Sequence, residues 1–300
     1  MMGLGALIWR NVKLYFKDKG MFFTSLITPM ILLVLYGTFL RNVYVDSFRS
    51  ALEQAGATAP DALINGCVGG QLITSLLAVS CVTVAFCSNL LMVQDKISGA
   101  RYDLTITPVK PSTLALGYYL ATLVSSLIIA LIATGICLGY LAVTGWYLTA
   151  WDVAELLLNV VLLVLFGTAL SSCVIFPLST QGQASAVGTI VSSAYGFICG
   201  AYMPISSFSD GLQKVISFLP GTYGTSLLRN CAMRGSFDEM AGLGFPAEVV
   251  EAIRDSVDCN LYFMGKSVSL GGMYAVLLIA IAVFIALYIG LNLISAKQHR

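Results

Sequence analysis

Long runs of apolar residues that are nearly free of charged side chains constrain this sequence more than any other feature. The first run extends from Gly20 to Leu40, and a helix needs about 20 such residues to cross the hydrocarbon core of a bilayer. Six runs are long enough to span, and they cover residues 20–40, 64–93, 113–143, 154–176, 183–203 and 270–294. They lack the strict alternation of polar and apolar residues that barrel strands show. The sequence therefore predicts an all-α, polytopic membrane protein with six transmembrane helices in a single domain over residues 1–300.

The composition agrees with this prediction. Hydrophobic residues make up 58% of the chain and charged residues only 10%, whereas about 25% of the residues in a soluble domain are charged. The net charge is +1, so the chain has no basic excess that would neutralise phosphates, and nucleic acid is not an expected partner. We expect no cleavable signal peptide, because the first apolar run is long enough to span and follows a charged amphipathic stretch.

Basic residues are concentrated on one side of the predicted helices. They are Arg10, Lys13, Lys17 and Lys19 before the first run, and Lys96, Arg101 and Lys110 between the second and third runs. The connections on the other side hold more acidic than basic residues. By the positive-inside rule, the segments rich in Lys and Arg are cytoplasmic. We therefore expect a multi-pass protein of the plasma membrane with both termini in the cytoplasm.

Three segments outside the apolar runs have their own patterns. Residues 1–19 carry apolar side chains at helical spacing with basic residues between them, which predicts a helix in the cytoplasmic interface. Residues 204–235 contain two short apolar helices on either side of Pro220 and Gly221, a strong turn signal. This pattern suits an extracellular re-entrant hairpin, whose backbone must be satisfied by protein or by a water-filled cavity. Residues 236–269 are then predicted to form a small extracellular cap.

Candidates for catalytic chemistry are few. The single histidine, His299, lies next to the C-terminus, which excludes histidine triads, HExxH zinc sites and histidine proton relays within the membrane. Residues 265–267 (Gly-Lys-Ser) resemble the end of a phosphate-binding loop, but Asn260 stands where that loop requires a glycine. Glu155, at the outer start of the fourth run, is interpreted as a helix-end charge favoured by the dipole. We predict no catalytic residue, no metal site and no nucleotide site in this chain.

Most of the 8 cysteines lie in apolar runs, where a thiol behaves as a small hydrophobe. Cys231 and Cys259 lie instead in a polar segment that is predicted to be extracellular. An oxidising compartment would allow them to form a disulfide. The sequence leaves open whether their sulfur atoms meet.

The cytoplasmic connection over residues 94–112 is the remaining polar segment of interest. It places mixed charges next to Gly99 and ends in a stretch closed by Pro108 and Pro111. This pattern predicts a short helix lying across the membrane and stopped by the prolines. A plain connecting loop with two turns is the alternative, and composition alone favours it.

Three segments carry a resemblance to a known family, the permease subunits of type 2 ATP-binding-cassette (ABC) exporters. They are YFKDK at 15–19, GARYDL at 99–104 with Thr-Pro-Val at 107–109, and FICGAYMPIS at 197–206 followed by LPGTY at 219–223 and Leu-Arg at 228–229. The resemblance implies an ATP-driven transporter with two six-helix permease units, identical or homologous, and two cytoplasmic ATPase subunits. ATP and Mg would be used by the ATPase subunits, so this chain binds no cofactor of its own.

The resemblance also implies where the functional residues lie. The residues expected to meet the ATPase are Asp95, Gly99, Arg101, Tyr102, Asp103, Leu104 and Pro108. The second and fifth spans would line the permease interface and the substrate path. Their polar candidates for the substrate path are Ser75, Thr83, Asn89, Gln183, Thr189 and Ser193. Because small polar residues also hold helices together, we favour packing over substrate contact for each of these six.

The leading hypothesis is a permease that exports a hydrophobic or amphipathic compound, such as a drug, a peptide or a lipid-linked molecule, from a bacterial cell. An ATP-independent channel or secondary transporter is the alternative. The lack of charges in the predicted spans argues against ion coupling but leaves a passive pore open. An intramembrane enzyme has the least support, because no nucleophile and base are found together.

Overall fold

The computed structural model of the protein describes residues 2–54, 59–107 and 109–298. Its helices are α1 (Met2–Lys17), α2 (Lys19–Leu35), α3 (Arg41–Gln54), α4 (Asp61–Asn89), α5 (Leu91–Ile97), α6 (Ala100–Thr105), α7 (Pro111–Thr144), α8 (Ala150–Ile175), α9 (Gln181–Ile198), α10 (Asp210–Ile216), α11 (Pro220–Gly242), α12 (Ala247–Ser256) and α13 (Leu270–Gln298). A π-helical turn at Tyr36–Leu40 joins α2 to α3, and a 3-10 turn at Ile205–Ser207 precedes α10. Strands β1 (Leu261–Phe263) and β2 (Lys266–Val268) form an antiparallel hairpin with Leu261 opposite Val268.

Five helical segments within these residues are long and apolar enough to cross a membrane. They are Lys19–Ser50, Asp61–Ile97, Pro111–Thr144, Ala150–Ile175 and Leu270–Ser295. The prediction of an all-α polytopic membrane protein is thereby confirmed, and five of the six predicted runs are accounted for. The run predicted at 183–203 corresponds to α9, an uncharged helix whose glutamine, serine and glycine residues lower its hydropathy. The count of six spans stays a prediction.

Helix α4 forms the centre of the bundle. In the most apolar stretch of the span that contains α4, 89% of the residues are buried. The corresponding shares are 25% and 22% for the spans that contain α2 and α13. Helices α2, α7, α8, α9 and α11 surround it. Glycines permit the close approach: a Cβ at Gly70 would lie 3.2 Å from the Ala232 carbonyl oxygen of α11.

The first span is longer than the sequence predicted. The apolar run ends near Leu40, but the helix continues through the π-helical turn into α3 and ends at Gln54. Two contacts hold this polar extension against the start of α4: Arg41 donates to Asn65 (2.7 Å) and Arg49 pairs with Asp61 (2.8 Å). The apolar run thus corresponds only to the part of the helix that is suited to lipid. The polar part after Leu40 lies against the start of α4 through these two contacts.

The predicted hairpin was wrong in the length of its second helix. The hairpin was predicted to end at residue 235, yet α11 has 23 residues, ends at Gly242 and extends into the segment predicted as the cap. Helix α11 lies along α8, and Arg234 pairs with both Asp152 (2.8 Å) and Glu155 (2.7 Å). These ion pairs explain why a helix that packs against α8 carries a charged residue at this position. The cap itself consists of α12 and the β-hairpin.

Helix α1 packs one face against α7. Leu7, Asn11, Val12 and Tyr15 are buried at helical spacing, whereas Trp9 on the opposite face is 68% exposed. The Tyr15 hydroxyl donates to Ser25 Oγ (2.7 Å), which joins α1 to α2. Asp18 caps α2 by accepting from the Met21 amide (3.1 Å).

Candidate functional site

Helices α5 and α6, together with the turn between them, form what we call the coupling segment (residues 91–105). Gly99 has a φ of +82°, a left-handed conformation that glycine adopts without a steric penalty. This turn ends α5 and lets α6 start in a new direction. The short helix predicted in this connection is therefore present as α6. Pro108 lies outside the described residues.

Asp95 attaches the coupling segment to α1 and α7. Its carboxylate is buried and accepts two hydrogen bonds from the Arg10 guanidinium, at 2.7 and 3.1 Å. The Tyr118 hydroxyl of α7 donates to the same carboxylate at 2.6 Å. The hydrogen bond to Asp95 raises the pKa of Arg10, so the guanidinium stays charged at any physiological pH. Charge-assisted bidentate pairs of this kind are strong and fix orientation.

Lys96 and Arg101 attach the coupling segment to the end of α8. The Lys96 ammonium donates to the carbonyl oxygens of Phe176 and Leu178, the latter at 2.7 Å. Carbonyl groups at a helix C-terminus lack partners within the helix, and a cation there is favourable. The Arg101 guanidinium lies 5.7 Å from the centre of the Phe176 ring, a cation–π contact.

Apolar side chains are exposed on the coupling segment and directly after it. Ile97 is 50% exposed, Tyr102 70% and Ile106 69%. Asp103 is also exposed, whereas Leu104 packs partly buried against the core. Of the predicted coupling residues, Asp95 and Arg101 thus bind their own bundle, and Tyr102 and Asp103 face outward. Sequence reasoning missed Arg10, Tyr118 and the role of Lys96, because each acts across a long distance in the chain.

A cavity of about 760 Å³ lies between α2, the junction of α4 and α5, and α9. Its lining residues are Asp18, Gly20, Met21, Ile27, Ile31, Leu32, Cys87, Leu90, Gln94, Gln181, Ala184, Ser185, Gly188, Thr189, Ser192, Ser193 and Tyr202. Hydroxyl groups from α9 form one wall and aliphatic side chains from α2 form the other. The volume falls in the range of ligand pockets, and the two walls suit a molecule with one polar and one apolar side.

The structure separates the six residues predicted to line the substrate path. Thr189 and Ser193 line the cavity. Gln183 caps α9 instead, accepting from the Ser179 and Thr180 amides. It therefore serves the local backbone and does not face the cavity.

The three candidates on α4 are packing residues. Ser75 accepts from Arg229 (3.3 Å), and the Thr83 hydroxyl donates to the Val79 carbonyl one turn earlier (3.0 Å). The Asn89 amide donates to two serine hydroxyls of α8, at 3.2 and 3.1 Å. Composition cannot distinguish a polar group that faces a cavity from one that joins two helices.

A buried ion pair joins α11 to the cap, and the sequence did not predict it. Arg229 of α11 is 2% exposed and pairs with Asp258 of the cap at 2.9 Å. The same guanidinium donates to the Gly200 carbonyl at 2.6 Å, and Asp258 accepts from the Ile205 amide at 3.0 Å. These contacts connect α4 and the segment after α9 to α11 and the cap. The predicted lack of charges concerned the six spans, and α11 is not one of them.

Glu155 belongs to a separate cluster of polar contacts at the start of α8. Its carboxylate accepts from Arg234 and from the Tyr274 hydroxyl of α13 (3.1 Å). Asp152 forms a capping box with Thr149 at the start of α8. Glu155 is therefore a link between α8, α11 and α13, beyond the helix-end charge that the sequence suggested.

The structure has no disulfide between Cys231 and Cys259, the pair that the sequence left open. Cys231 and Cys259 are both free and buried. The Cys231 thiol faces α8, where Asn159 Nδ2 lies 3.6 Å away, whereas the Cys259 backbone carbonyl accepts from Ser226 and Asn230 of α11. The described residues contain no cluster of His, Cys, Asp or Glu that could hold a metal ion.

Taken together, the long apolar helices and the buried central helix define a multi-pass membrane protein of the all-α class. Residues 2–233 match the family described as ABC-2 type transporter. The chain belongs to this family, and the resemblance found in the sequence is confirmed. Such a domain is the transmembrane component of an ABC transporter, which implies a partnership with ABC ATPase subunits. None of the curated proteins matches the chain.

Proposed function

We propose that this chain is the permease subunit of an ATP-driven exporter in a bacterial plasma membrane. It moves a hydrophobic or amphipathic compound by alternating access, and a separate cytoplasmic ATPase subunit uses ATP and Mg. Both termini and the coupling segment lie in the cytoplasm, α9 serves as the fifth of six spans, and α10 with the start of α11 forms the re-entrant hairpin. A second permease unit, identical or homologous, completes the transporter.

The attachment of the coupling segment is the observation that carries this proposal. Asp95 joins it to α1 and α7, and Lys96 joins it to α8. A displacement of the coupling segment is therefore passed to three helices of the bundle, as a lever requires. The exposed Tyr102 and Ile106 give an ATPase an apolar surface on the free side of α6.

The cavity and α9 support the remaining parts of the proposal. Asp18 is the single charged side chain among the cavity's lining residues, which favours uncharged or amphipathic solutes over strongly charged ones. On α9, Gly182 and Ala186 are both exposed and lie one helical turn apart. Small residues at this spacing let transmembrane helices approach closely, so this face suits a second permease unit.

Reconstitution tests the proposal. The chain is placed in liposomes with and without its partner ABC ATPase subunit, and uptake of fluorescent amphipathic compounds is measured with ATP. Tyr102→Ala removes an aromatic anchor from the proposed ATPase contact, and we expect roughly a tenfold or greater loss of ATP-dependent transport. Tyr262→Ala is the matched control, because Tyr262 is 50% exposed in the cap.

Transport that needs no ATPase subunit would refute the proposal and favour the channel or secondary transporter. Equal activity of the two tyrosine variants would refute the coupling role of α6.

A further inference from the structure

A second cavity, of about 240 Å³, lies between the end of α1, α2, α4 and α7. Its walls are apolar and include Phe16, Phe22, Met30, Ile132 and Ile136. We call it the apolar slot. It lies on the opposite side of α2 from the larger cavity, so the proposed substrate path does not include it.

The slot is elongated and opens toward the surrounding lipid. Met30 is 58% exposed, Ile132 60% and Ile136 58%, and these side chains form its outer edge. Along α2 the lining extends from Phe22 to Leu33, which corresponds to roughly 16 Å at 1.5 Å per residue. The slot therefore runs along the spans and has the shape of part of one acyl chain.

The inner wall of the slot contains one polar group without a partner. Ser80 of α4 is 1% exposed and lines the slot. Within the part of the chain that the structure describes, its hydroxyl has no hydrogen-bond partner. An acyl chain offers this hydroxyl no hydrogen bond, so it is the apolar remainder of the lining, and not Ser80, that favours such an occupant.

Three lysines lie close in sequence to Phe16 and Phe22, which line one end of the slot. Lys13, Lys17 and Lys19 are exposed there, and they form no ion pair among the described residues. The neighbouring carboxylate of Asp18 is engaged in capping α2. Lysines at a membrane surface attract anionic lipids, so the charge favours an acidic headgroup over a zwitterionic one.

We infer that an anionic phospholipid binds here, with one acyl chain in the apolar slot and its phosphate at Lys17 and Lys19. The lipid belongs to the leaflet beside α1, which is the cytoplasmic leaflet if the proposed function is correct. Because α1 also carries Arg10, the partner of Asp95, the bound lipid stabilises the helix that holds the coupling segment.

Photolabelling of the permease alone tests this inference. The probes are phosphatidylglycerol and phosphatidylcholine that carry the same diazirine-labelled acyl chain, added to the protein in nanodiscs. We expect phosphatidylglycerol to label Met30, Ile132 or Ile136 several-fold more strongly than phosphatidylcholine. Because no ATPase or transport is involved, a negative result here leaves the proposed function untouched, and a failed transport assay leaves this inference standing.

Two variants and a control make the test specific. Ala133→Trp fills the slot and should lower labelling at least fivefold, whereas Leu131→Trp, on the exposed face of the same helix, should not. The double variant Lys17→Gln with Lys19→Gln leaves the slot intact, since both side chains are exposed, and should lower the preference for phosphatidylglycerol by roughly fivefold or more. Equal labelling of the two tryptophan variants, or equal labelling by the two lipids, would overturn the inference.

Discussion

Replacing Asp258 with asparagine would leave the Arg229 guanidinium buried without a counter-ion. Arg229 is 2% exposed and pairs with Asp258 at 2.9 Å. Asparagine has nearly the same shape and keeps an oxygen that can accept from the Ile205 amide. The substitution therefore removes the negative charge and little else.

The expected loss of stability is about 3–5 kcal/mol, which is typical when one partner of a buried ion pair is removed. This is a large part of the roughly 5–15 kcal/mol that stabilises an ordinary folded domain. Arginine cannot lose its proton and asparagine does not titrate, so this site should give the stability of the variant no pH dependence.

The reverse variant should behave differently. Burial already raises the pKa of Asp258, and Arg229 opposes that rise. Without the arginine, as in Arg229→Met, the pKa of Asp258 rises further, and the carboxyl group can be buried in its neutral form. An acid whose pKa is raised by folding stabilises the folded state below its unfolded pKa, and that stabilisation is lost as the pH rises through its folded pKa. Arg229→Met should thus recover stability on acidification.

Thermal unfolding in detergent, followed by tryptophan fluorescence at several pH values, measures both effects. Asp238→Asn is the matched control, because Asp238 lies exposed on α11, and we expect a change within about 0.5 kcal/mol. If Asp258→Asn unfolded at the temperature of the unmodified protein, the ion pair between Arg229 and Asp258 would not stabilise the fold as we propose. An equal response of the two charge variants to pH would also contradict this reasoning.

Three further predictions concern other parts of the bundle. Lys96→Met removes the cation from the end of α8, and we expect at least a tenfold loss of ATPase stimulation in liposomes with normal membrane insertion; unchanged stimulation would contradict this role. In Gly235→Ala the new Cβ would lie 1.8 Å from the Tyr147 carbonyl oxygen, so we expect a loss of about 1–3 kcal/mol or more, whereas Gly242→Ala, with open space around it, should unfold at the normal temperature. Ser193→Val removes a hydroxyl from the larger cavity and should change the KM of transport without lowering the unfolding temperature; an unchanged KM for every substrate would argue against this cavity as the substrate path.

Several elements could be predicted from the sequence because a bilayer limits what a chain can do. The runs predicted at 113–143 and 154–176 correspond closely to α7 and α8, since each is bounded by charged or turn-forming residues. The first helix was found from its spacing of apolar and basic residues. The sequence predicted too short a helix for α11. Its local sequence is polar and does not indicate that the helix is buried against α4 and α8.

The contacts that define the site could not be predicted, because they join distant parts of the chain. Arg10 and Asp95 are 85 residues apart in sequence, and Lys96 is 80 residues from Phe176. The motif around Gly99 placed the coupling segment, yet nothing in it identifies Arg10 as the partner of Asp95. A buried arginine such as Arg229 likewise depends on a partner from the cap.

The central claim is that α6 is the surface through which an ATPase drives the bundle. The most direct measurement is photocrosslinking in intact membranes, with benzoylphenylalanine incorporated at Tyr102 or at Tyr262 and the ATPase co-produced. We predict a covalent adduct between permease and ATPase from position 102 and none from position 262. An ATPase adduct from position 262 would contradict the claim that α6 contacts the ATPase. The absence of an adduct from position 102, in cells where the two subunits co-purify, would also contradict it.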